Sequence, residues 1–347
     1  MTDLDVINAQ IDLVAWVEAA GSKLRNVGRS LSGRCPLHGG DNPNGFSVYD
    51  NGRLWNCFSG DCGGGDALRF IMKFKKVTLP EAINIATGGA TITKEEILRI
   101  QQEQAERAAR ELEKSIARAQ EMLKELRSTQ IWLQYHEQLE NSDVGRQWWE
   151  NRGIGSDFQK FWKLGYVPDR RIWVGEEVHY PTATIPIFGK DWSAQNVKHR
   201  IIGAPKEVGK YRYEYPDLTP LFRAPIFISD PDLDTPNALV LVEGEIKAMV
   251  TFLTLDTPNW QVIGIPSKNT PVDNIKELTK DVDVIYICCD PDTGSMNEEV
   301  AKELGVGRCR IVETPMKIDD LILTVGMDKN TLRNYFSQSR KIKENMK

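Results

Sequence analysis

The chain has 347 residues, 41% hydrophobic and 27% charged. That is enough for two or three domains with cores of their own, and too balanced for a fibrous or disordered chain. Its longest apolar runs, Ala238 to Val242 and Val284 to Cys289, are too short to span a bilayer, and the N-terminal MTDLDVINAQIDLVAW has no signal-like region, so a cytoplasmic protein with no membrane partner is expected. The net charge of −5 conceals a contrast, because residues 21–76 carry nine Lys/Arg against four Asp while acidic residues crowd the region after about 230. A basic front and an acidic rear suit a protein that meets nucleic acid with one part and metal ions with another.

Apolar residues Ile7, Ile11, Val14 and Ala15 recur at a helical period between Asp5 and Ala20, and Gly21 ends the run. Phe46 and Val48, then Leu54 and Trp55 across Asn51-Gly52, predict a β-hairpin. Helices are expected over Asp66 to Lys75 and Leu79 to Ala86. Residues 1–90 thus form one small module. From Thr93 to about Glu140 the chain is rich in Glu, Gln, Ala, Arg, Lys and Leu without Gly or Pro, which predicts one or two long helices acting as a solvated linker over 91–140.

Residues 141–238 mix aromatic, basic and turn segments, including a strand-like Ala183 to Phe188, and read as an α+β subdomain. Over 239–325 short apolar runs alternate with helical patterns: Leu239 to Val242, Val262 to Ile265, Val284 to Cys289 and Cys309 to Val312. Continuous apolar strands separated by helices imply a parallel α/β sheet covered on both faces. Residues 326–347 are polar and basic and are expected to form a loose tail. The chain is therefore multidomain, α/β and α+β, with a helical linker and a small β module that its Cys35/His38 and Cys57/Cys62 pairs make zinc-ribbon-like.

Cys35-x2-His38, an 18-residue gap and Cys57-x4-Cys62 supply four N/S ligands in two pairs that bracket the predicted hairpin. One structural Zn²⁺ could tie both ends of a sheet that lacks a large core. The second acidic pattern lies in the parallel sheet. One strand ends in Glu243-Gly244-Glu245 and another in Asp290-Pro291-Asp292, and the carboxyl ends of parallel strands share one edge, where ligands bind. Carboxylates gathered there repel one another without cations, and hard oxygen donors select Mg²⁺ or Mn²⁺.

The run CPLHGGDNPNGFSVYDNGRLWNCFSGDCGGGDALRFIMKFKKVTLPEAI resembles the zinc-binding module of bacterial and phage DNA primases of the DnaG type. It departs from them in having four residues between Cys57 and Cys62 where they usually have two, so Asp61 is an alternative ligand. The resemblance implies engagement of single-stranded template. Arg53 and Trp55 are the preferred contacts, with Phe46, Tyr49 and Phe58 as further stacking candidates and Arg34, Lys73, Lys75 and Lys76 along the phosphates.

The paired strand ends resemble the Toprim domain, which also carries a later acidic segment matched by Asp319-Asp320, Asp320 being preferred. The resemblance implies a catalytic set of Glu243, Asp290, Asp292 and Asp320, with Glu243, Asp290 and Asp292 on magnesium. Lys247 departs from the Asp that many bacterial primases have there. Between the two, Trp148-Trp149-x-x-Arg152-Gly153, Gly165-Tyr166-Val167-Pro168, Lys198-His199-Arg200 and Lys210-Tyr211 resemble the start of the primase RNA-polymerase domain. By position, Arg152, Lys198, Arg200 and Lys210 would hold template and nucleotide. The implied function is synthesis of RNA primers on single-stranded DNA from ribonucleoside triphosphates, in a phage or bacterial setting. A separate replicative helicase is implied as partner, since Gly203 to Lys210 misses the spacing of a phosphate loop. A RecR-like DNA-binding mediator and a Toprim nuclease are the alternative readings.

Overall fold

The computed structural model describes residues 3–27, 30–87, 94–222, 224–267, 270–291 and 296–342. The chain divides into two compact units, Met1–Glu111 and Leu112–Lys347. Among the described residues no helix is long and apolar enough to cross a membrane.

The first unit opens with two helices, α1 (Asp3–Gln10) and α2 (Leu13–Ala19), in place of the single helix expected. Asp12 breaks the run because its carboxylate accepts a hydrogen bond from the Ala15 amide and so caps a new helix. Strands β1 (Arg25–Val27), β2 (Ser30–Gly33), β3 (Phe46–Tyr49), β4 (Leu54–Cys57) and β5 (Gly64–Gly65) form an antiparallel sheet in sequence order, followed by α3 (Ala67–Lys75) and α4 (Leu79–Ala86). The expected β3–β4 turn is present, with Asp50, Asn51 and Gly52 all at positive φ. Strand parity decides the core: Phe46 pairs with Cys57 and Val48 with Trp55, so these four share the buried face. Phe46 stacks on Trp55 at 5.5 Å, and Phe70 of α3 meets both rings edge-on.

Helix α5 (Lys94–Thr129) leads into α6 (Ile131–Glu140), α7 (Asp143–Glu150) and α8 (Ser156–Phe161). The latter half of the expected linker is not a solvated spacer. Ala119, Met122, Leu123 and Leu126 form a stripe at helical spacing that packs with Trp132 and Tyr135 of α6 on Ala194 and Val197. Those two residues lie in β8 of an antiparallel sheet made of β6 (Gly165–Trp173), β7 (Glu177–Phe188), β8 (Ala194–Ile201) and β9 (Tyr211–Tyr213).

The remaining elements are β10 (Phe227–Ile228), β11 (Ala238–Glu243), α9 (Glu245–Leu255), β12 (Trp260–Ile265), α10 (Val272–Thr279), β13 (Val284–Ile287), α11 (Met296–Leu304), β14 (Cys309–Ile311), α12 (Ile318–Leu323), α13 (Lys329–Ser337) and β15 (Arg340–Lys341). Their sheet runs β10-β12-β11-β13-β14-β15, with the four central strands parallel and both edges antiparallel. Both faces are covered, as the unbroken apolar strands require: Val240 and Val242 enter one core, Leu239 and Leu241 the other. The expected loose tail is instead structured through residue 342. Leu332 and Phe336, four apart on α13, are buried, and Phe336 lies edge-on to Trp260 and Tyr286.

A buried polar network joins α6 to the antiparallel sheet. Tyr135 Oη (3.1 Å), Arg170 (2.7 Å) and His199 Nε2 (2.7 Å) all reach Glu214 Oε2, and Thr182 Oγ1 lies 3.0 Å from His199 Nδ1. Burial holds His199 below the usual imidazole range, so the neutral ring donates from Nε2 to Glu214 and accepts at Nδ1 from Thr182. Burial pushes Glu214 up, but the hydrogen bond from His199 and the charge of Arg170 outweigh it and leave its carboxyl low. Both groups are depressed in the native state, so their contributions are complete above the unfolded values, about 6.5 for His and 4.3 for Glu, and are lost as the pH falls. Calorimetry should show Tm dropping from pH 7 to 5, with a smaller drop in His199→Gln.

Candidate functional site

The zinc candidates converge. The ligand atoms of Cys35, His38, Cys57 and Cys62 all lie within 4.8 Å of one another. Individual separations are 3.9 Å for Cys35 Sγ to Cys62 Sγ, 3.7 Å for Cys57 Sγ to His38 Nδ1 and 3.1 Å for His38 Nδ1 to Cys62 Sγ. A tetrahedral ion with Zn–S near 2.3 Å and Zn–N near 2.0 Å requires edges of about 3.5–3.8 Å, so the donors surround a space of the right size. Burial pushes the Cys35 thiol up to about 12, a cost that a bound cation removes by stabilising the thiolate.

The long Cys57-to-Cys62 knuckle closes on itself, because the Cys57 amide donates to the Gly63 carbonyl at 2.9 Å. Gly40 and Gly60 leave room for the imidazole: a Cβ on Gly40 would stand 2.5 Å from His38 Nε2. Asp61 is exposed and outside the ligand group. Cys288 and Cys289 are buried beside the parallel sheet, as expected of packing residues.

Trp55 does not offer a base-stacking surface. It is fully buried, and its Nε1 donates to the Asp66 carbonyl at 2.9 Å. Its parity with the ligand Cys57 on β4 turns it inward. Phe46 is buried as well, whereas Phe58 at 68% exposure and Tyr49 at 39% are open, as are Arg34, Arg53, Lys73, Lys75 and Lys76.

In the second unit, Leu241 of β11 is level with Ile287 of β13, which sets Glu243 and Asp290 at the same carboxyl edge. Gly244, at φ +97°, turns β11 into α9, and a Cβ on Gly264 of the neighbouring strand would lie 2.7 Å from its carbonyl oxygen. Asp290 is 6% exposed. Lys247 Nζ lies 2.5 Å from its Oδ1 and Lys317 Nζ 3.0 Å from its Oδ2. Of the expected magnesium set, Glu243 and Asp290 stand at this edge. Lysines already engage both oxygens of Asp290, Asp292 lies outside the described residues, and among those residues only the zinc quartet groups three or more such ligands.

Asp320 is exposed, whereas its neighbour Asp319 is half-buried with a buried Oδ1 that has no hydrogen-bond partner. Burial raises the Asp319 carboxyl most, with Asp320 and Asp290 adding to it and Lys247 opposing. Asp319, not Asp320, is thus the carboxylate of this segment that is withdrawn from solvent and feels Asp290 and Lys247. The sequence offered both, and only the phase of the short helix α12 separates them.

Facing this edge are residues of β8 and β9. Lys198 and Arg200 lie on one face of β8, opposite Tyr213 and Tyr211. Lys198, expected to bind nucleotide or template, is instead buried and committed to Glu245 Oε1 at 2.6 Å, with its ammonium over the Tyr211 ring at 4.5 Å. Arg200 also stands over Tyr211, at 4.9 Å, and Arg152 lies 3.4 Å from the centre of Trp148. Burial first, then the charge of Arg200, lowers Arg152 from the usual guanidinium range. Lys210 is exposed. Tyr211, pushed up to about 12 chiefly by burial, feels the charges of Glu245, Arg200, Asp319 and Arg152.

Residues 1–103 match the family of the CHC2 zinc finger, the zinc ribbon of DnaG. The resemblance to DnaG-type primases holds. The DNA primase of Halalkalibacterium halodurans is 29% identical over 149 residues, 42% of this chain and 22% of that protein. The DNA primase of Mycoplasma pneumoniae is 34% identical over 85 residues, 24% of this chain and 13% of that protein. The chain therefore spans less than a quarter of the length of either curated relative. A solved structure described as the DnaG primase catalytic domain bound to ssDNA superposes with a TM-score of 0.51 at 18% identity, over 64% of this chain and 80% of that one. The likeness of this chain to that primase domain is one of fold. Together with the ligand quartet, the CHC2 match makes the cluster of the first unit a zinc site.

Two outcomes follow. Purified chain should carry one zinc, and Cys57→Ser should lose it and unfold the first unit while leaving the second, as read by metal analysis and limited proteolysis. Lys198→Met should strand Glu245 and destabilise the second unit by about 3–5 kcal/mol in denaturant titrations, with or without DNA.

Proposed function

We propose that the chain is a DNA primase that builds short RNA chains on single-stranded DNA from ribonucleoside triphosphates. One observation carries the reading. Arg200 stands over the Tyr211 ring at 4.9 Å and Lys198, paired with Glu245, over the same ring at 4.5 Å, while the charges of Arg152 and Asp319 also act on Tyr211, so cationic and acidic groups gather around one residue. A polyanion that needs a divalent ion for its chemistry, such as a nucleoside triphosphate, matches that pairing.

Arg152 and Arg200 are like charges held close enough to affect each other, each over an aromatic ring. Phosphate between them relieves the repulsion and accepts their hydrogen bonds. The partnerless Oδ1 of Asp319 offers a Mg²⁺ or Mn²⁺ ion one hard oxygen, and Glu243, Asp290 and Asp292 are the candidate ligands that would join it. When bound, the ion would neutralise charge as a 3′-hydroxyl oxygen joins the α-phosphorus and pyrophosphate leaves. Glu243, at the end of β11, would orient that hydroxyl or accept its proton. Lys210, exposed beyond β8, and Arg53 with the open rings of Phe58 and Tyr49 are suited to the template. A separate helicase would supply the unwound strand, and the reaction belongs in the cytoplasm of a bacterium or phage-infected cell.

The test is incorporation of labelled ribonucleotides on a randomised single-stranded template with Mg²⁺ or Mn²⁺. Wild-type protein should yield short RNA. Asp290→Asn, which keeps the shape but loses the charge and one of the two acceptors, should lower the yield by on the order of 10²-fold or more, with the zinc content unchanged. Arg152→Ala should raise the KM for nucleotides roughly tenfold through loss of a charge-assisted contact. DNA binding without product under either metal would overturn the reading in favour of a mediator.

A further inference from the structure

Lys247 occupies a position that helix electrostatics disfavour. It is the third residue of α9, inside the first turn, where the free backbone N–H groups concentrate positive charge. What holds it there is Asp290, whose Oδ1 lies 2.5 Å from its Nζ, with the two side chains only 14% and 7% exposed. Lys317 approaches the other oxygen at 3.0 Å from the start of α12. Asp290 is thus engaged on both sides by ammonium groups, a half-exposed one from Lys317 and a largely buried one from Lys247.

We propose that the Lys247 ammonium is a built-in substitute for one divalent ion, so that the carboxylate edge takes a single Mg²⁺ or Mn²⁺ where a paired-metal centre would take two. The inference deepens the primase reading and rests on it. Two ions about 4 Å apart are the usual arrangement for in-line phosphoryl displacement, and each needs carboxylate oxygens of its own. Here Asp290 Oδ1 is already spent on a compact, strongly hydrated point charge carried on a flexible stem. A divalent ion at the same oxygen would have to displace that ammonium or sit against its charge. Among the described residues the partnerless Asp319 Oδ1 is open to an ion, and the place a second ion would take at Asp290 Oδ1 is the one the ammonium fills. Because the ammonium never dissociates from the chain, Asp290 stays compensated when metal is withdrawn.

Full-length, zinc-loaded protein would be titrated with Mn²⁺ and free Mn²⁺ counted by electron paramagnetic resonance, without nucleotide. The wild type should bind one Mn²⁺ and Lys247→Asp should bind two. Lys247→Met, which keeps the stem but not the charge, should gain more in Tm on adding Mn²⁺ than the wild type does. Two ions in the wild type, a count that stays at one in a folded Lys247→Asp protein, or equal Tm gains in wild type and Lys247→Met would overturn the substitution while leaving primer synthesis untouched. No Mn²⁺ in either the wild type or Lys247→Asp would overturn the metal-site reading, and this inference with it.

Discussion

Acidic groups drawn to one edge of a parallel sheet repel one another, and the second unit is organised around placing cations among them. Glu245 is matched by Lys198 from the antiparallel sheet, and Asp290 by Lys247 and Lys317. Each pairing also positions structure: Lys198 ties β8 to the start of α9, while Lys317 brings the start of α12 to the end of β13. Burial makes these contacts consequential, since losing one partner strands a charge where water cannot reach it. The fold and its charge pattern are therefore one solution to the same problem.

The first unit meets a similar constraint with different chemistry. Its hairpin has one face to bury, filled by Phe46, Val48 and Trp55, and Cys57 on that face must also serve the metal cluster. A cation that stabilises thiolates replaces part of the core that so small a sheet cannot build. The rings left over for outside contact are Phe58, on the knuckle, and Tyr49, at the end of β3.

Side-chain type and spacing carried much of this into view. The zinc ligands, the hairpin turn and the succession of parallel strands were readable because they depend on local chemistry or on a period of two. Where the reading differed, the deciding quantity was orientation. Trp55 looked available until its parity with Cys57 turned it inward, and Lys198 looked like a nucleotide ligand until Glu245 claimed it. The latter half of the linker and the tail looked solvated because each buries only a narrow stripe, Ala119 to Leu126 in one and Leu332 with Phe336 in the other. Such stripes have meaning only when the opposing surface is known.

By itself, then, the amino-acid sequence determined the inventory: four zinc ligands, acidic residues at two strand ends, a basic segment between them and a resemblance to DnaG-type primases. Tertiary structure alone decided which groups meet. It turned Asp319 inward and left Asp320 exposed through the phase of one short helix, took Lys198 out of solvent, and set Lys247 against Asp290 across 43 residues of chain. The physical reason is that ligand identity is a property of residue type, whereas electrostatic compensation depends on distance and burial, which exist only once the sheets have packed.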